Sequence, residues 1–322
     1  MKDFCIVGSG VAGSTIANLL AKKYSVEIFD KAKGVGGRAA NRRYIKNLSF
    51  DHGVQYISPK SKIFKKFILR LKKKGIIKEW EGKHIDLTNH DPTNKKIKYI
   101  GKKGNNQISK FLLKKIKKRL ASPVVKIEFY KKQWKITLKN KEFYYYKNLI
   151  FAIPFPQIKT IAKRYLDKKF LKLNIKMEPN LTVMAVFKDC KKNLISSIKF
   201  NDNILGWAAN ENSKKRYKTK LSLWTIQSNE KWAKKKINIY KENKKNTSNQ
   251  LLSQFMKQTN LKKERLIFNS IHGWKYSYNK NSTKLKSIWY KKYNMGVCGD
   301  WFIGPKVENA WESAQNLFKK LN

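Results

Sequence analysis

Gly8-Ser9-Gly10-Val11-Ala12-Gly13, close to the start of the 322-residue chain, is the stretch on which the fold turns. It has the G-x-G-x-x-G spacing: the first glycine permits a tight turn, the second lets backbone approach a pyrophosphate, and the third lets a helix pack on a strand. Alone the pattern is weak, because glycine-rich turns arise by chance. Its flanks supply the context. The apolar run Phe4 to Val7 reads as a buried strand, Ser14 to Lys22 as a helix and Ser25 to Phe29 as a second strand. Asp30 closes that β-turn-α-β unit, 22 residues after Gly8. A carboxylate there can take the ribose hydroxyls of an adenosine while the helix N-terminus faces the phosphates. Gly8, Ser9, Gly10, Ala12, Gly13 and Asp30 are therefore the expected contacts of a Rossmann-type dinucleotide site.

Outward from this unit, Lys31-Ala32-Lys33-Gly34-Val35-Gly36-Gly37-Arg38 follows Asp30 directly. Gly36 and Gly37 allow close backbone contact, and Arg38, with Lys31 beside it, can make charge-assisted bonds to phosphate. At the other end Met295 to Cys298 reads as a strand leading into Gly299, Asp300 and a C-terminal helix that carries Asn309 and Ala310. The two ends of the chain are thus expected to build one site. Between them, residues 62–74 and 107–120 have the apolar spacing of amphipathic helices, built on Ile63, Phe67, Ile68 and Leu71 and on Ile108, Leu112, Ile116 and Leu120. From Pro123 the period changes to two, with Val125, Ile127, Phe129, Trp134, Ile136, Leu138, Phe143 and Tyr145, which predicts an antiparallel meander returning to a buried strand at Leu149 to Ala152. Apolar strands at 181–187 and 221–226 and a helix near 247–258 belong to a further body with no repeat.

Several motifs carry a resemblance. The glycine pair after an acidic strand end resembles the FAD-binding pattern of the amine-oxidase-like flavoproteins rather than that of simple nicotinamide dehydrogenases. Gly37-Arg38-Ala39-Ala40-Asn41-Arg42-Arg43, Asp51-His52-Gly53-Val54-Gln55-Tyr56, Gly206-Trp207-Ala208-Ala209-Asn210, Trp224-Thr225-Ile226-Gln227-Ser228, His272-Gly273-Trp274-Lys275-Tyr276 and Gly299-Asp300-Trp301 together resemble the renalase-like FAD oxidoreductases, in order along nearly the whole chain. Two departures fall in the substrate part. Lys214-Lys215-Arg216 replaces a Lys-Pro-Gly-Arg run, and Gly273 replaces the arginine of a His-Arg-Trp motif.

The resemblance implies non-covalent FAD, with Asp300 on its ribityl and pyrophosphate portion and Val125 among the cofactor contacts. It also implies hydride transfer from a dihydro-NAD(P) isomer to flavin N5, followed by reoxidation by dioxygen to hydrogen peroxide. The expected fold is α/β, a Rossmann-type FAD domain with an inserted mixed-sheet substrate domain, an architecture like that of p-hydroxybenzoate hydroxylase. The FAD domain is assigned to 1–58, 101–158 and 291–322, and the substrate domain to 59–100 and 159–290. His52, Gln55, Tyr56 and Trp274 are the candidates beside the reacting atoms. Trp207, Trp224 and Trp274 are candidates for an aromatic cage, although tryptophans on strands are more often core. Neither residue type nor spacing offers a general base, and a dihydropyridine needs none, because aromatisation of the donor drives hydride loss.

Composition bounds the rest. Lys and Arg number 73 against 21 Asp and Glu, a formal charge of +52. The lysines are spread along the chain with abundant Asn and Ile, so the charge reads as solvated helix faces, as at Lys72-Lys73-Lys74 and Lys234-Lys235-Lys236, and not as a specific nucleic-acid site. Cys5, Cys190 and Cys298 form no C-x-x-C pair, and four histidines make no metal-spaced cluster, so neither a disulfide framework nor a metal is expected. No P-loop, G-x-S-x-G or H-E-x-x-H motif occurs. No apolar run is long enough for a transmembrane segment and no signal peptide precedes the first strand, so a cytoplasmic protein is expected. Two other readings stay open at this level: a flavin amine oxidase or desaturase-type enzyme, and a non-catalytic flavin-fold protein that binds nucleic acid or another anionic surface.

Overall fold

The computed structural model describes residues 2–321 apart from 46, 89–96, 189–194 and 262–264; Cys190 lies outside the described residues. A strand such as Phe4-Cys5-Ile6-Val7, apolar on both sides, is stable only inside a sheet covered on both faces. Lys2–Val7 takes that place, paired in parallel with Val26–Phe29 on one side and Phe143–Phe151 on the other. Lys117–Arg119 extends the parallel order past Val26–Phe29, and Met295–Cys298 extends it past Phe143–Phe151, with Ser287–Tyr290 as an antiparallel edge. The hairpin Val124–Tyr130 and Gln133–Leu138 hangs on the first half of Phe143–Phe151 and brings the sheet to eight strands.

Alternate residues of the central strand feed two cores. Phe4 and Ile6 face the helices Val11–Leu20 and Val307–Leu321, packing with Ile16, Leu20, Ala314 and Leu317. Cys5 and Val7 face the opposite layer, where Trp134, Phe155, Ile158 and Trp301 lie. Phe64, Ile68 and Leu71 of the helix Lys62–Lys73 join the first core. Apolar packing therefore holds this helix with the parallel sheet, although a boundary at residue 58 gave it to the substrate domain. Phe155 and Ile158, within the segment assigned to the FAD domain, join the second core, and so do Phe170 and Ile175 from beyond its boundary at residue 158.

The second sheet has six strands in the order Leu266–Asn279, Met177–Phe187, Ser222–Ser228, Leu205–Asn210, Ile195–Lys199 and Lys83–Asp86, antiparallel except for the last pair. The helix Lys244–Thr259 covers one face, seating Leu251, Leu252 and Phe255 on Val183, Ala185, Trp224 and Ile226. The fold is the mixed α/β class that the sequence implies, with two sheets facing one cavity.

Two local expectations change. The amphipathic stretch 107–120 is a helix only over Gln107–Leu112. Leu113 and Ile116 stay buried in the same core, so the apolar period persists after the helix ends, and Lys118 Nζ donates to the freed carbonyls of Leu113 and Ile116 at 2.9 Å each. The chain leaves the helix because Lys117–Arg119 pairs with the sheet edge, where Arg119 meets buried Glu27 at 2.7 Å. In the meander, Thr137 pairs with Lys126 and Leu138 with Val124, so Val125 sits on a bulge and is 52% exposed. An extra residue in one strand reverses the alternation locally.

Candidate functional site

In an open parallel sheet, ligands bind beyond the carboxyl ends of the strands where strand order reverses. Here Val7 and Phe29 end their strands and Ala152 and Gly299 directly follow theirs, and all four line one cavity of about 1650 Å³. Ligand pockets usually occupy roughly 300–1,000 Å³. The cavity therefore has room for a dinucleotide and a second molecule together.

Its dinucleotide half is assembled from the two chain ends. Gly8, Gly10, Ala12, Asp30, Lys31, Gly36, Gly37 and Arg38 line it from the first unit, and Gly299, Asp300 and Ala310 from the last. The helix Val11–Leu20 has no side-chain cap at its start, so its first N–H groups and dipole serve the cavity. Asp30 is held in one orientation: Oδ2 accepts from the Ser9 amide at 2.7 Å and the Ser9 hydroxyl at 2.6 Å, and Oδ1 accepts from the Ala32 amide at 2.8 Å. A carboxylate offers about four acceptor positions, so roughly one remains for a ribose hydroxyl. Arg38, which lines the cavity, also has partners within the protein. Its guanidinium pairs with Asp300 and donates to the Ser277 carbonyl at 3.1 Å, tying the glycine loop to the C-terminal loop and to the second sheet.

The opposite wall is one register row of the second sheet. Asp86 pairs with Lys199, Lys199 with Trp207, Trp207 with Gln227, Gln227 with Thr182 and Thr182 with His272, across all six strands. Side chains directly opposite each other share a face, and five of these six line the cavity, Thr182 being buried beneath them. His272, Trp274, Tyr276 and Tyr278 continue the wall along the last long strand.

The segment after Asp51 closes the floor. His52 stacks on Trp274 at 5.1 Å between ring centroids and meets His272 edge-on at 4.9 Å, and the Trp274 indole donates to the His52 carbonyl at 2.9 Å. Burial pushes the His52 imidazole down to about 3, helped by the like charges of His272 and Arg42. Burial also lowers His272. Both rings are neutral at physiological pH, and among the described residues His52 Nδ1 is buried without a hydrogen-bond partner. Gln55 lines the cavity but its amide is spent on the protein: Nε2 donates to the Asp51 carbonyl and to the Gly53 carbonyl at 3.2 Å, and Oε1 accepts from Lys214 Nζ at 3.2 Å. Burial raises the Tyr56 hydroxyl, which is thus a neutral phenol.

Behind this floor lies a buried group of four charges. Lys214 Nζ lies 3.0 Å from both Asp51 and Glu211, and Arg216 lies 2.6 Å from Asp51 and 3.6 Å from Glu211. The Lys214-Lys215-Arg216 departure therefore builds the support of the floor. At Gly273, an added Cβ would sit 2.5 Å from the Tyr240 ring, so position 273 points to the covered face of the sheet, away from His272 and Trp274.

Four sequence-derived cofactor residues stand apart from the cavity lining. Ser9 orients Asp30, as described. Gly13 is a packing residue, since a Cβ there would lie 1.8 Å from the Gly8 carbonyl oxygen. Val125 is on the exposed bulge, and Val124 faces the cavity in its stead. Asn309 donates to the Gly304 carbonyl at 2.9 Å and shapes the turn before the last helix. Of the three tryptophans, Trp207 and Trp274 line the cavity, whereas Trp224 is fully buried against Phe255 on the far side of the sheet. Residues that sequence reasoning missed are His84, Asp86 and Lys98. Nothing local marks them: His84 and Asp86 sit on a short strand that enters the wall only through tertiary pairing, and Lys98 immediately precedes another, Tyr99–Gly101.

Residues 6–71 match the family model of the NAD(P)-binding Rossmann-like domain. The whole chain is similar to solved structures. A protein from Exiguobacterium sp. 255-15 assigned as a protoporphyrinogen oxidase superposes with a TM-score of 0.75 at 9% identity, covering 99% of this chain and 98% of the other. A putrescine oxidase double mutant gives 0.71 at 12% identity, with 99% and 98% covered. Putrescine oxidase bound to putrescine gives 0.68 at 12% identity, again with 99% and 98% covered. The chain shares its fold over 99% of its length with these oxidase structures, and its residues 6–71 match an NAD(P)-binding Rossmann-like domain.

Proposed function

We propose that the chain is an FAD-dependent oxidoreductase, an oxidase that takes a hydride from a dihydro-NAD(P) isomer and passes the electrons to dioxygen. The observation that carries this reading is the continuity of the cavity: the dinucleotide cradle of the first and last elements opens onto an aromatic register row of the second sheet. The cytoplasmic setting read from the sequence is part of the same proposal.

The residues fit FAD. Asp30 has an acceptor position for the ribose, and the uncapped helix start offers N–H groups for the pyrophosphate. When bound, the flavin supplies two-electron acceptor chemistry. The chain's share is to hold a planar donor against the aromatic wall and to keep water out. Trp274 and Tyr276 provide flat surface, and Trp274 is fixed by its bonds to the His52 segment. Neutral His52 and His272 give hydrogen bonds without adding charge, and neither is poised to remove a proton at physiological pH.

An anaerobic absorbance titration of the purified protein with 2- and 6-dihydro-NAD, NADH and a panel of amines tests the proposal. Rapid bleaching of a yellow protein by the dihydro-isomers, with slow bleaching by NADH and amines, is the expected result. Bleaching by an amine alone would move the enzyme to the amine oxidases. A colourless protein that takes up no FAD would overturn the flavoprotein reading.

A further inference from the structure

We propose that Lys98 determines substrate specificity by pairing with an oxyanion, a carboxylate or a phosphate, carried by the molecule that fills the substrate half of the cavity. This rests on the reading of that half as a substrate site. Lys98 lines the cavity, half-buried, with Nζ 5.5 Å from the Tyr56 ring centroid. Most of the chain's lysines are solvated, but this one is partly desolvated with no carboxylate to offset the cost: among the described residues no ion pair includes it. Burial is the cause that lowers its ammonium from the ordinary value.

The acid on the same wall is already engaged. Asp86 pairs with Lys199 at 3.2 Å and accepts from the Thr88 amide at 2.9 Å and hydroxyl at 2.6 Å. His84 is also occupied, with Nδ1 2.7 Å from the Ser197 hydroxyl and Nε2 3.3 Å from the Trp80 carbonyl, and burial keeps it neutral. A second donor around Tyr56 lacks an acceptor. Trp207, whose ring lies 5.8 Å from that of Tyr56, has a buried indole N–H without a hydrogen-bond partner. The indole N–H is itself covered, so the half-buried cation beside the phenol is the group that asks for an anionic acceptor in the cavity. A diamine would meet the wrong charge here.

Isothermal titration calorimetry of the purified protein with benzoate, phenyl phosphate and benzamide tests this. The wild-type chain should bind at least one of the two anions about tenfold or more tightly than benzamide, the order expected of a charge-assisted hydrogen bond. Whichever anion binds more tightly names the oxyanion. Lys98→Met should abolish that preference and leave benzamide unchanged, Lys98→Arg should restore most of it, and Lys115→Met, which removes one exposed positive charge elsewhere, should not alter it. Equal binding of anions and benzamide by the wild type would overturn the proposal even if Lys98→Met failed to fold. So would a preference that persists in Lys98→Met. Calorimetry needs no flavin colour, so loss of the flavoprotein reading would show separately, as protein without FAD.

Discussion

At the residue scale, the site depends on atoms that are absent as much as on those present. Gly13 brings the first helix down on the Gly8 carbonyl, and a methyl group there would have to displace backbone that lies 1.8 Å away. Gly13→Ala should cost about 2–3 kcal/mol of stability, as overpacking does, and should strip FAD on gel filtration; a variant that keeps both would refute the packing role. His52 gives a pH signature. Its folded value of about 3 lies below the ordinary 6.5. Between those values the unfolded chain binds a proton that the folded chain does not, so this contribution is fully present above 6.5 and is lost as pH falls toward 3. Urea unfolding at pH 7 and pH 5 should show a smaller stability loss for His52→Gln than for the wild type. An unchanged loss would place the acid sensitivity elsewhere. The glycine spacing, Asp30 and the His52 segment were legible as chemistry in the sequence. The duties of Ser9 and Arg38 were not, because which partner a donor finds is set by chain brought in from far away.

At the scale of elements, the 3-10 turn Glu211–Lys214 and the strand Leu48–Asp51 are joined through the buried charges of Lys214, Arg216, Asp51 and Glu211. The adjacent cations hold Asp51 well below the usual carboxylate range, while burial raises Glu211. Removing one cation leaves an uncompensated buried charge. Lys214→Met should therefore destabilise the protein by about 3–5 kcal/mol in urea unfolding, while a loss below about 1 kcal/mol, typical of an exposed pair, would contradict the buried pairing. Elements with one strong period were legible: the helix Lys62–Lys73, the meander and the helix Lys244–Thr259 lie where the pattern put them, although Ile63, expected on the buried face of the first, is 68% exposed and Phe64 is buried in its place. The stretch after Leu112 was not, since an apolar residue every fourth position buries equally well in a helix or in the turn and short strand that the sheet edge selects.

On the scale of the whole molecule, the contact that closes the dinucleotide half joins Arg38 to Asp300, 262 residues apart. It also reaches the second sheet through the Ser277 carbonyl. A double-mutant cycle of Arg38→Ala and Asp300→Ala should show coupling of about 1–3 kcal/mol in unfolding, with both single variants losing FAD on dialysis. Strict additivity would mean that the two ends act independently. The sequence by itself determined the Rossmann-type unit, the return of the last strand to it and the acidic and glycine positions, because each is fixed by short-range geometry: a turn that needs glycine, a strand buried on both faces, a helix that starts at a phosphate cradle. The substrate wall was decided only by tertiary structure. Asp86, Lys199, Trp207, Gln227 and His272 come from five strands and share a face only because the strand registers align them. Register follows from the packing of the whole sheet against its covering helix, and no local stretch of chain encodes it.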